Sequence, residues 1–245
     1  MNKIYIGIIA LLLIVIITSS SYYVINNKRN NIIGNGFFMN TVESAQSSIT
    51  PNSSIVQPKV NNSMTIHFGL LVKNFYMNHL RWKHLFHKGT NKTSTFDYKY
   101  WYNVEQDLPK QTIGAWLHPD KNMMRITVST LIKYDHKPLD YPLYDTIKKS
   151  LKANAYKETI EVCDIDNIEP NTLNYYTIVL DGQTLSIYKN GSLIKTCGLR
   201  GEVLLNMGDM YFNYHKTYSG KLINFAYIPK SHNPKKVKKI YNQLK

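Results

Sequence analysis

Two glycine-containing turns divide residues 175–199 into three short apolar-rich runs, and this pattern constrains the fold more than any other part of the chain. The turns are Asp181-Gly182 and Asn190-Gly191, and both dipeptides favour the positive φ values of two-residue hairpin loops. The segment therefore predicts a three-stranded antiparallel meander. If each dipeptide forms its loop, Leu180 faces Gln183 across the first hairpin.

Alternation along these strands assigns their side chains to two faces. One face is a predicted core, and it contains Tyr176, Ile178, Leu180, Leu185, Ile187 and Ile194. The other face is mixed aromatic and polar, and it contains Tyr175, Thr177, Val179, Ser186, Tyr188, Leu193, Lys195 and Cys197. We expect this second face to meet water, a partner or a covering loop.

The rest of the chain predicts further short strands and one terminal helix. Residues 64–72 alternate with a period of two, and strand-like runs follow at 82–88, 113–117, 123–130, 158–168, 209–213 and 221–228. Asn233 and Pro234 then begin a short helix with an apolar stripe on one side. These elements predict an all-β fold, an antiparallel two-sheet jelly-roll sandwich that occupies residues 63–245 as one domain.

Residues 1–25 are predicted to form a transmembrane anchor. The uncharged stretch from Ile4 to Ile25 would span about 33 Å as a helix, close to the roughly 30 Å hydrocarbon core of a bilayer. A cleaved signal peptide is the competing interpretation, because only the first part of the stretch is purely apolar. Residues 26–62 lack periodicity and are rich in Asn, Ser and Thr, so we expect a flexible linker there.

Cys163 and Cys197 are the only two cysteines of the chain. A single pair behind a secretory-type N-terminus indicates a disulfide that forms in an oxidising compartment. We therefore expect a single-pass membrane protein whose C-terminal domain is lumenal or extracellular. Four Asn-x-Ser/Thr triplets are compatible with that location, and they begin at Asn52, Asn61, Asn91 and Asn190.

The formal charge is +14, from 30 Lys and Arg against 16 Asp and Glu, and a basic surface of this kind attracts polyanions. The basic residues are scattered along a chain that is generally rich in Asn, Lys, Ile and Tyr. We attribute the charge to this composition and do not expect specific nucleic-acid binding.

A dense aromatic segment at residues 96–103 is the best candidate for a ligand-facing loop. Exposed rings can stack on the faces of sugars, whereas the alternative is that these rings cap one end of the core. Tyr175 and Tyr188 on the second face of the meander are further candidates. The predicted ligand-binding residues are therefore Tyr98, Tyr100, Trp101, Tyr102, Tyr175 and Tyr188.

No catalytic residue is predicted. The run from Asp164 to Glu169 superficially resembles the carboxylate pattern of glucan hydrolases, in which two carboxyl groups lie about 5 to 5.5 Å apart. Its first carboxylate is an aspartate, one methylene too short for that pattern, and Pro170 marks a loop. We therefore predict that the chain is not an enzyme.

No metal site or other cofactor is predicted either. His84 and His87 are three residues apart on a strand, a spacing that puts their side chains on opposite faces. Asp164, Asp166 and Asn167 offer clustered oxygens that could bind calcium. The same three residues suit a plain turn, which is the interpretation that we favour.

Several segments resemble, in order, the concanavalin A-like and laminin-G-like jelly-roll domains, and most of all the membrane-anchored versions of large DNA viruses. The segments are WKHLFHKG (82–89), GAWLHPDKNMMRITVST (114–130), VCDIDNIEP (162–170), TIVLDGQTLSIYKNGSLIKTC (177–197) and FAYIPKSHNPKKVKKIY (225–241). The resemblance leads us to expect a Trp at the start of the meander, where this chain has Leu173. It implies a binding or structural scaffold, because such domains bind glycans, proteins or calcium.

These features lead to one hypothesis and two alternatives. The hypothesis is a single-pass membrane protein, on a virion or an assembly membrane, whose non-catalytic jelly-roll domain recognises a glycan or a protein. The first alternative is a structural protein that acts in membrane or virion assembly through protein contacts. The second alternative, which we favour least, is a glucan-type glycoside hydrolase.

Overall fold

The computed structural model describes residues 11–23, 36–43, 46–59, 61–79, 81–90, 108–133, 156–214 and 216–245. These residues form a two-sheet antiparallel β-sandwich with a short C-terminal helix, Pro234–Leu244. In chain order the strands are β1 (Phe37–Glu43), β2 (Ser48–Thr50), β3 (Met64–Asn74), β4 (Lys83–Gly89), β5 (Gln111–Leu117), β6 (Met124–Lys133), β7 (Tyr156–Ile165), β8 (Asn174–Asp181), β9 (Thr184–Lys189), β10 (Ser192–Gly198), β11 (Glu202–Val203), β12 (Asp209–Phe212) and β13 (Ser219–Ile228).

The strands make one six-stranded and one seven-stranded sheet. The first has the order β1-β13-β3-β8-β9-β10, and the second has the order β11-β6-β5-β4-β12-β2 with β7 paired to β6. Phenylalanines from both sheets pack in the core between them: ring centroids are 5.2 Å apart for Phe68 and Phe86, and 4.8 Å apart for Phe212 and Phe225. The predicted two-sheet antiparallel architecture is therefore confirmed.

The first hairpin of the meander has a different register from the predicted one. Leu180 faces Leu185 and Asp181 faces Thr184, so the loop is Gly182-Gln183 rather than Asp181-Gly182. Gly182 alone has a positive φ, 55°, as in a turn with glycine at its first central position. Because the register moves by two residues, the faces do not change. The core cluster accordingly includes the predicted residues Tyr176, Ile178, Leu180, Leu185 and Ile187.

The second hairpin contains an irregularity that the sequence did not reveal. Asn190 and Gly191 form the predicted loop, with φ values of 51° and 78°. Beyond it a β-bulge intervenes, so that Lys195 rather than Ile194 faces Ile187. The prediction that Ile194 belongs to the core is wrong, because it is the extra residue of the bulge and is 44% exposed.

The same bulge turns Cys197 towards the inside of the sandwich. Cys197 faces Leu185, a core residue, although simple alternation had placed it on the second face. It forms the predicted disulfide with Cys163 of β7, which confirms the pairing. Lys195, also assigned to the second face, donates from Nζ to the carbonyl oxygen of Asp164 at 2.6 Å. These contacts link the edge strands β10 and β7 of the two sheets.

The C-terminal helix covers the second face of the meander. Asn233 Oδ1 accepts a hydrogen bond from the Lys236 backbone N–H at 2.9 Å, and Pro234 occupies the first turn, as predicted. The helix buries Val237, Ile240 and Leu244. Val237 packs against Val179 and Tyr188, whereas Ile240 and Leu244 pack against Ala226 and Ile228.

Part of the predicted flexible linker belongs to the sandwich. Strand β1 pairs with β13 and strand β2 pairs with β12, so the linker prediction is wrong for these residues. Val42 and Ile55 are buried, at 2% and 4% exposure. The pairing partners explain the error. A short strand of mixed composition is stabilised by the neighbouring strand with which it pairs, and the local sequence of the short strand does not show that such a neighbour exists.

Within the described ranges, no helix is both long enough and apolar enough to cross a membrane. The described part of the predicted anchor is a helix over residues 11–23.

Candidate functional site

Six connections between the described strands meet at one end of the sandwich, which we call the turn end. They join β1 to β2, β3 to β4, β5 to β6, β7 to β8, β9 to β10, and β12 to β13. The register places them together, because the strand ends that bear these connections lie at or near one another in the pairing of neighbouring strands. Examples are Leu117 facing Lys83 and Met124, and Asn74 facing Ser219.

The turn end carries exposed apolar side chains. Tyr76 and Met77 lie between β3 and β4, Leu173 precedes β8, and Leu193 and Ile194 lie at the start of β10. Their exposed fractions are 83% for Tyr76, 38% for Met77, 41% for Leu173, 55% for Leu193 and 44% for Ile194. Scattered exposed apolar residues are normal on proteins, but five at one end of a domain make that end a candidate contact surface.

A polar network fixes the backbone beside these residues. Glu169 accepts hydrogen bonds from Lys189 Nζ at 2.9 Å and from Asn174 Nδ2 at 3.0 Å. Asn190 Nδ2 donates to Asn174 Oδ1 at 2.9 Å, and Asn190 Oδ1 accepts from the Tyr175 backbone N–H. The hydrogen bond from Lys189 and that from Asn174 hold the pKa of Glu169 below its usual value. The network ties the segment before β8 to the turn between β9 and β10.

The C-terminal helix adds an aromatic ring and two cations next to the same turn. Lys238 Nζ lies 5.2 Å from the Tyr241 ring centroid, and Lys245 Nζ lies 5.1 Å from it. A Cβ atom on Gly191 would lie 2.8 Å from Lys238 Cδ and 3.0 Å from Tyr241 Cδ1, so the helix touches the turn. The turn end therefore combines apolar side chains with positioned charges, as ligand sites do.

Two of the predicted ligand-binding residues lie beneath this end. Tyr175 is 9% exposed and Tyr188 is 5% exposed, because the C-terminal helix covers them. The Tyr175 ring stacks on His67 with centroids 5.7 Å apart and meets Tyr241 edge-on at 5.9 Å. Burial raises the pKa of both tyrosines. The other predicted residues, Tyr98, Tyr100, Trp101 and Tyr102, lie outside the described residues.

The Asp164–Glu169 segment, considered above for calcium binding or hydrolysis, forms hydrogen bonds with other parts of the protein. Both carboxylate oxygens of Asp164 accept hydrogen bonds from Arg125, from Nε and Nη2, at 2.6 Å each. Asn167 adopts a φ of 59°, which suits the turn that the sequence also allowed. The described ranges hold no group of three or more His, Cys, Asp or Glu side chains that could bind a metal ion.

The prediction that His84 and His87 point to opposite faces is wrong. A β-bulge at this part of β4 puts both side chains on the outer face of the seven-stranded sheet. Tyr214 N–H donates to His84 Nδ1 at 2.8 Å, so the proton of His84 is on Nε2, which donates to His87 Nδ1 at 2.8 Å. His87 Nε2 then donates to the Thr90 carbonyl at 3.3 Å. Both rings are thus neutral, and burial lowers the pKa of His87 to about 4.

Sequence reasoning missed Tyr76 as a site residue and interpreted Leu173 incompletely. Tyr76 lies in the connection between β3 and β4, where the neighbouring Phe75 joins the core and Tyr76 is exposed, and local sequence does not distinguish these two rings. Leu173 stands where the resemblance led us to expect a Trp, and its exposure shows that the position is on the surface. The expected Trp would therefore have been a surface platform rather than a core ring.

The strand order and the two packed sheets define a jelly-roll-like β-sandwich. No protein-family model matches the chain, and no curated protein matches it. Among solved structures, the chain is similar to the binding domain of Paraclostridial Mosquitocidal Protein 1, with a TM-score of 0.50 and 15% identity over 86% of this chain and 46% of that chain.

Two neurotoxin structures give similar comparisons. The botulinum neurotoxin serotype D binding domain has a TM-score of 0.49 and 11% identity over 82% of this chain and 41% of that chain. The binding domain of botulinum neurotoxin DC, in complex with rat synaptotagmin II, has a TM-score of 0.47 and 14% identity over 81% and 40%. The chain thus spans less than half the length of each of these three structures. At such identities the likeness concerns the fold alone.

Proposed function

We propose that this chain is a membrane-anchored, non-catalytic binding module of the concanavalin A-like jelly-roll type that recognises a partner through its turn end. The observation that carries the proposal is the group of five exposed apolar side chains at that end, beside the polar network of Glu169. The polar network limits the movement of the loops that bear Leu173 and the β9–β10 turn. A partner can therefore dock without first ordering these segments.

The partner that fits this surface best is a protein. Leu173, Leu193 and Ile194 are aliphatic, and an apolar centre with charges at its rim is typical of protein interfaces. Tyr76 would serve as the central anchor, because tyrosine loses little conformational freedom when it is buried. A glycan would instead need several free hydrogen-bonding groups around an aromatic ring, and Glu169, Asn174 and Asn190 at this end are already hydrogen-bonded within the polar network.

A binding role without catalysis agrees with the contacts of the two carboxylates that end the run compared with glucan hydrolases. Asp164 is paired with Arg125, and Glu169 is paired with Lys189 and Asn174. Both have a structural partner, whereas the two carboxyl groups of a retaining hydrolase face the sugar. A similar fold forms the binding domain of Paraclostridial Mosquitocidal Protein 1.

We place the sandwich outside the cytosol, on a cell surface, in a lumen or on a virion. The disulfide between Cys163 and Cys197 supports an oxidising compartment. The apolar residues 4–25 supply the single-pass anchor in this proposal.

Parallel arrays test the proposal. Full-length protein in detergent micelles is applied to an array of protein ectodomains and to a glycan array under the same conditions. Saturable binding to a protein supports the proposal, and binding to glycans alone would replace the protein partner with a sugar. Absence of binding on both arrays would refute the binding function.

A structural role in membrane or virion assembly is the second candidate, favoured by the same exposed side chains if the partner is another copy of this chain. Sedimentation of the full-length protein over a range of concentrations distinguishes the two. Self-association that is lost in Leu173→Ser would favour assembly, whereas a monomer at all concentrations would exclude self-association as the basis of the role.

A further inference from the structure

Three of the four Asn-x-Ser/Thr triplets begin at described asparagines, and the structure separates them by the surroundings of the side-chain amide. Asn52 is half-buried, and its Oδ1 accepts hydrogen bonds from Gln57 Nε2 at 2.6 Å and from Lys88 Nζ at 3.0 Å. Lys88 is completely buried and also donates to two backbone carbonyls. The Asn52 amide is therefore part of the cage around a buried ammonium group.

Asn190 is also half-buried and engaged at both ends of its amide. Its Nδ2 donates to Asn174 Oδ1 at 2.9 Å, and its Oδ1 accepts from the Tyr175 backbone N–H at 2.9 Å. Asn174 is itself buried, at 4% exposure. A sugar on Asn190 Nδ2 would leave one hydrogen on that nitrogen, and this hydrogen would be needed for the bond to Asn174. The sugar would also crowd the C-terminal helix that contacts the same turn.

Asn61 differs from both. It is exposed, it has a φ of 47° in the turn before β3, and no described residue hydrogen-bonds its side chain. The neighbouring residues of the triplet hold the turn in place: Asn62 Nδ2 donates to the Val203 carbonyl at 2.7 Å, and Ser63 Oγ donates to Asp181 at 2.8 Å. The backbone is thus fixed while the Asn61 amide projects into solvent.

We propose that Asn61 is a site of N-linked glycosylation and that Asn52 and Asn190 are unmodified in the folded protein. This inference rests on the proposed location of the sandwich outside the cytosol. The donor is a lipid-diphosphate-linked oligosaccharide: the Asn61 amide nitrogen bonds to the first sugar carbon and loses a proton, and the bond from that carbon to the diphosphate breaks. The β3 start lies at the end of the sandwich opposite to the turn end, so a glycan there leaves the proposed binding surface open.

Expression of the full chain in animal cells, in an Asn91→Gln background, tests the site, because Asn91 lies outside the described residues. A reporter triplet is added beyond Lys245 on a spacer. Peptide N-glycosidase converts each modified asparagine to aspartate, and peptide mass spectrometry locates it. We expect conversion at Asn61 and at the reporter. We also expect that Asn61→Gln removes the mass of one glycan whereas Asn52→Gln and Asn190→Gln do not.

The reporter triplet distinguishes failure of the Asn61 site from failure of the proposed location outside the cytosol. If the reporter is modified and Asn61 is not, the inference is overturned while the location stands. If neither is modified, the location outside the cytosol is wrong and the inference fails with it. Conversion at Asn52 or Asn190 in the folded fraction would also overturn the inference. Binding on the arrays is measured separately and does not depend on these outcomes.

Discussion

Glu161 of β7 is a buried carboxylate whose removal has a predictable cost. Its side chain is 8% exposed, and its oxygens accept hydrogen bonds from Thr130 Oγ1 at 2.7 Å, from Gly201 N–H at 3.0 Å and from Arg200 N–H at 2.9 Å. Burial by itself would raise the pKa of Glu161, but the hydrogen bonds from Arg200, Thr130 and Gly201 outweigh it and lower the pKa. Glu161 thereby fixes the segment between β10 and β11 on the seven-stranded sheet.

Replacement of Glu161 by Gln keeps the shape but turns one acceptor oxygen into an NH₂ group that faces the Arg200 N–H. Because hydrogen bonds to a charged group contribute about 1.5–3 kcal/mol each, we expect Glu161→Gln to lower the free energy of unfolding by about 2–4 kcal/mol at about pH 7. Glu158→Gln on the same strand is the matched control. Among the described residues, Glu158 forms an exposed ion pair with Lys110 at 3.4 Å, and the loss of such a pair should cost about 0–1 kcal/mol.

The stabilisation by Glu161 should depend on pH. A carboxylate whose pKa is lower in the folded state stabilises the fold above its unfolded pKa, and this contribution is lost as the pH falls through the folded pKa. Urea unfolding of wild type and Glu161→Gln, followed by tryptophan fluorescence, should therefore show a difference that narrows between about pH 7 and about pH 3. An effect no larger than that of Glu158→Gln, or one that is constant with pH, would refute the reasoning.

Three further predictions concern stability. The Cys163→Ala/Cys197→Ala double variant opens a loop with a sequence separation of 34 residues and should lose up to about 4 kcal/mol in non-reducing urea titrations; equal stability would contradict the role given to the disulfide. Gly220→Ala should lower the free energy of unfolding by about 2 kcal/mol or more, because Gly220 has a φ of 146° and a Cβ there would collide with a backbone carbonyl of β3. The control Gly198→Ala should change the free energy of unfolding little, because the space around its Cβ is open. Burial lowers the pKa of His87 to about 4, so between about pH 6.5 and about pH 4 the unfolded chain binds a proton at this histidine that the folded chain does not. The free energy of unfolding should therefore decrease as the pH is lowered from about 6.5 to about 4, and a free energy that does not change over this range would contradict the neutral histidine pair.

The meander shows what sequence pattern predicts well. Its core face followed from alternation. The faces survived the register error because each residue of β8 changed its partner by two residues, the period of a strand, when the turn moved by one. The cap at Asn233 and the buried stripe of the C-terminal helix were also predictable, because both depend on residues that are local in sequence.

The errors have a common physical origin in long-range pairing. The bulges near His84 and at Ile194 reverse the alternation of β4 and β10, and a bulge adds one residue without a characteristic local sequence. The contribution of β1 to the sandwich depends on β13, which lies far away in the chain. The turn end, likewise, is assembled from connections distant in sequence, so its exposed side chains could not be grouped before the register was known.

The central claim is that the turn end binds a partner, and an affinity measurement on a double variant tests it most directly. Tyr76→Ser/Leu173→Ser removes two exposed side chains of the turn end, and Met207→Ser removes one that is 62% exposed near the start of β12, at the opposite end. With the best protein ligand from the array, biolayer interferometry should show at least about a tenfold weaker Kd for the double variant, equivalent to about 1.4 kcal/mol, and an unchanged Kd for Met207→Ser. Equal affinities for wild type and the double variant would contradict the claim.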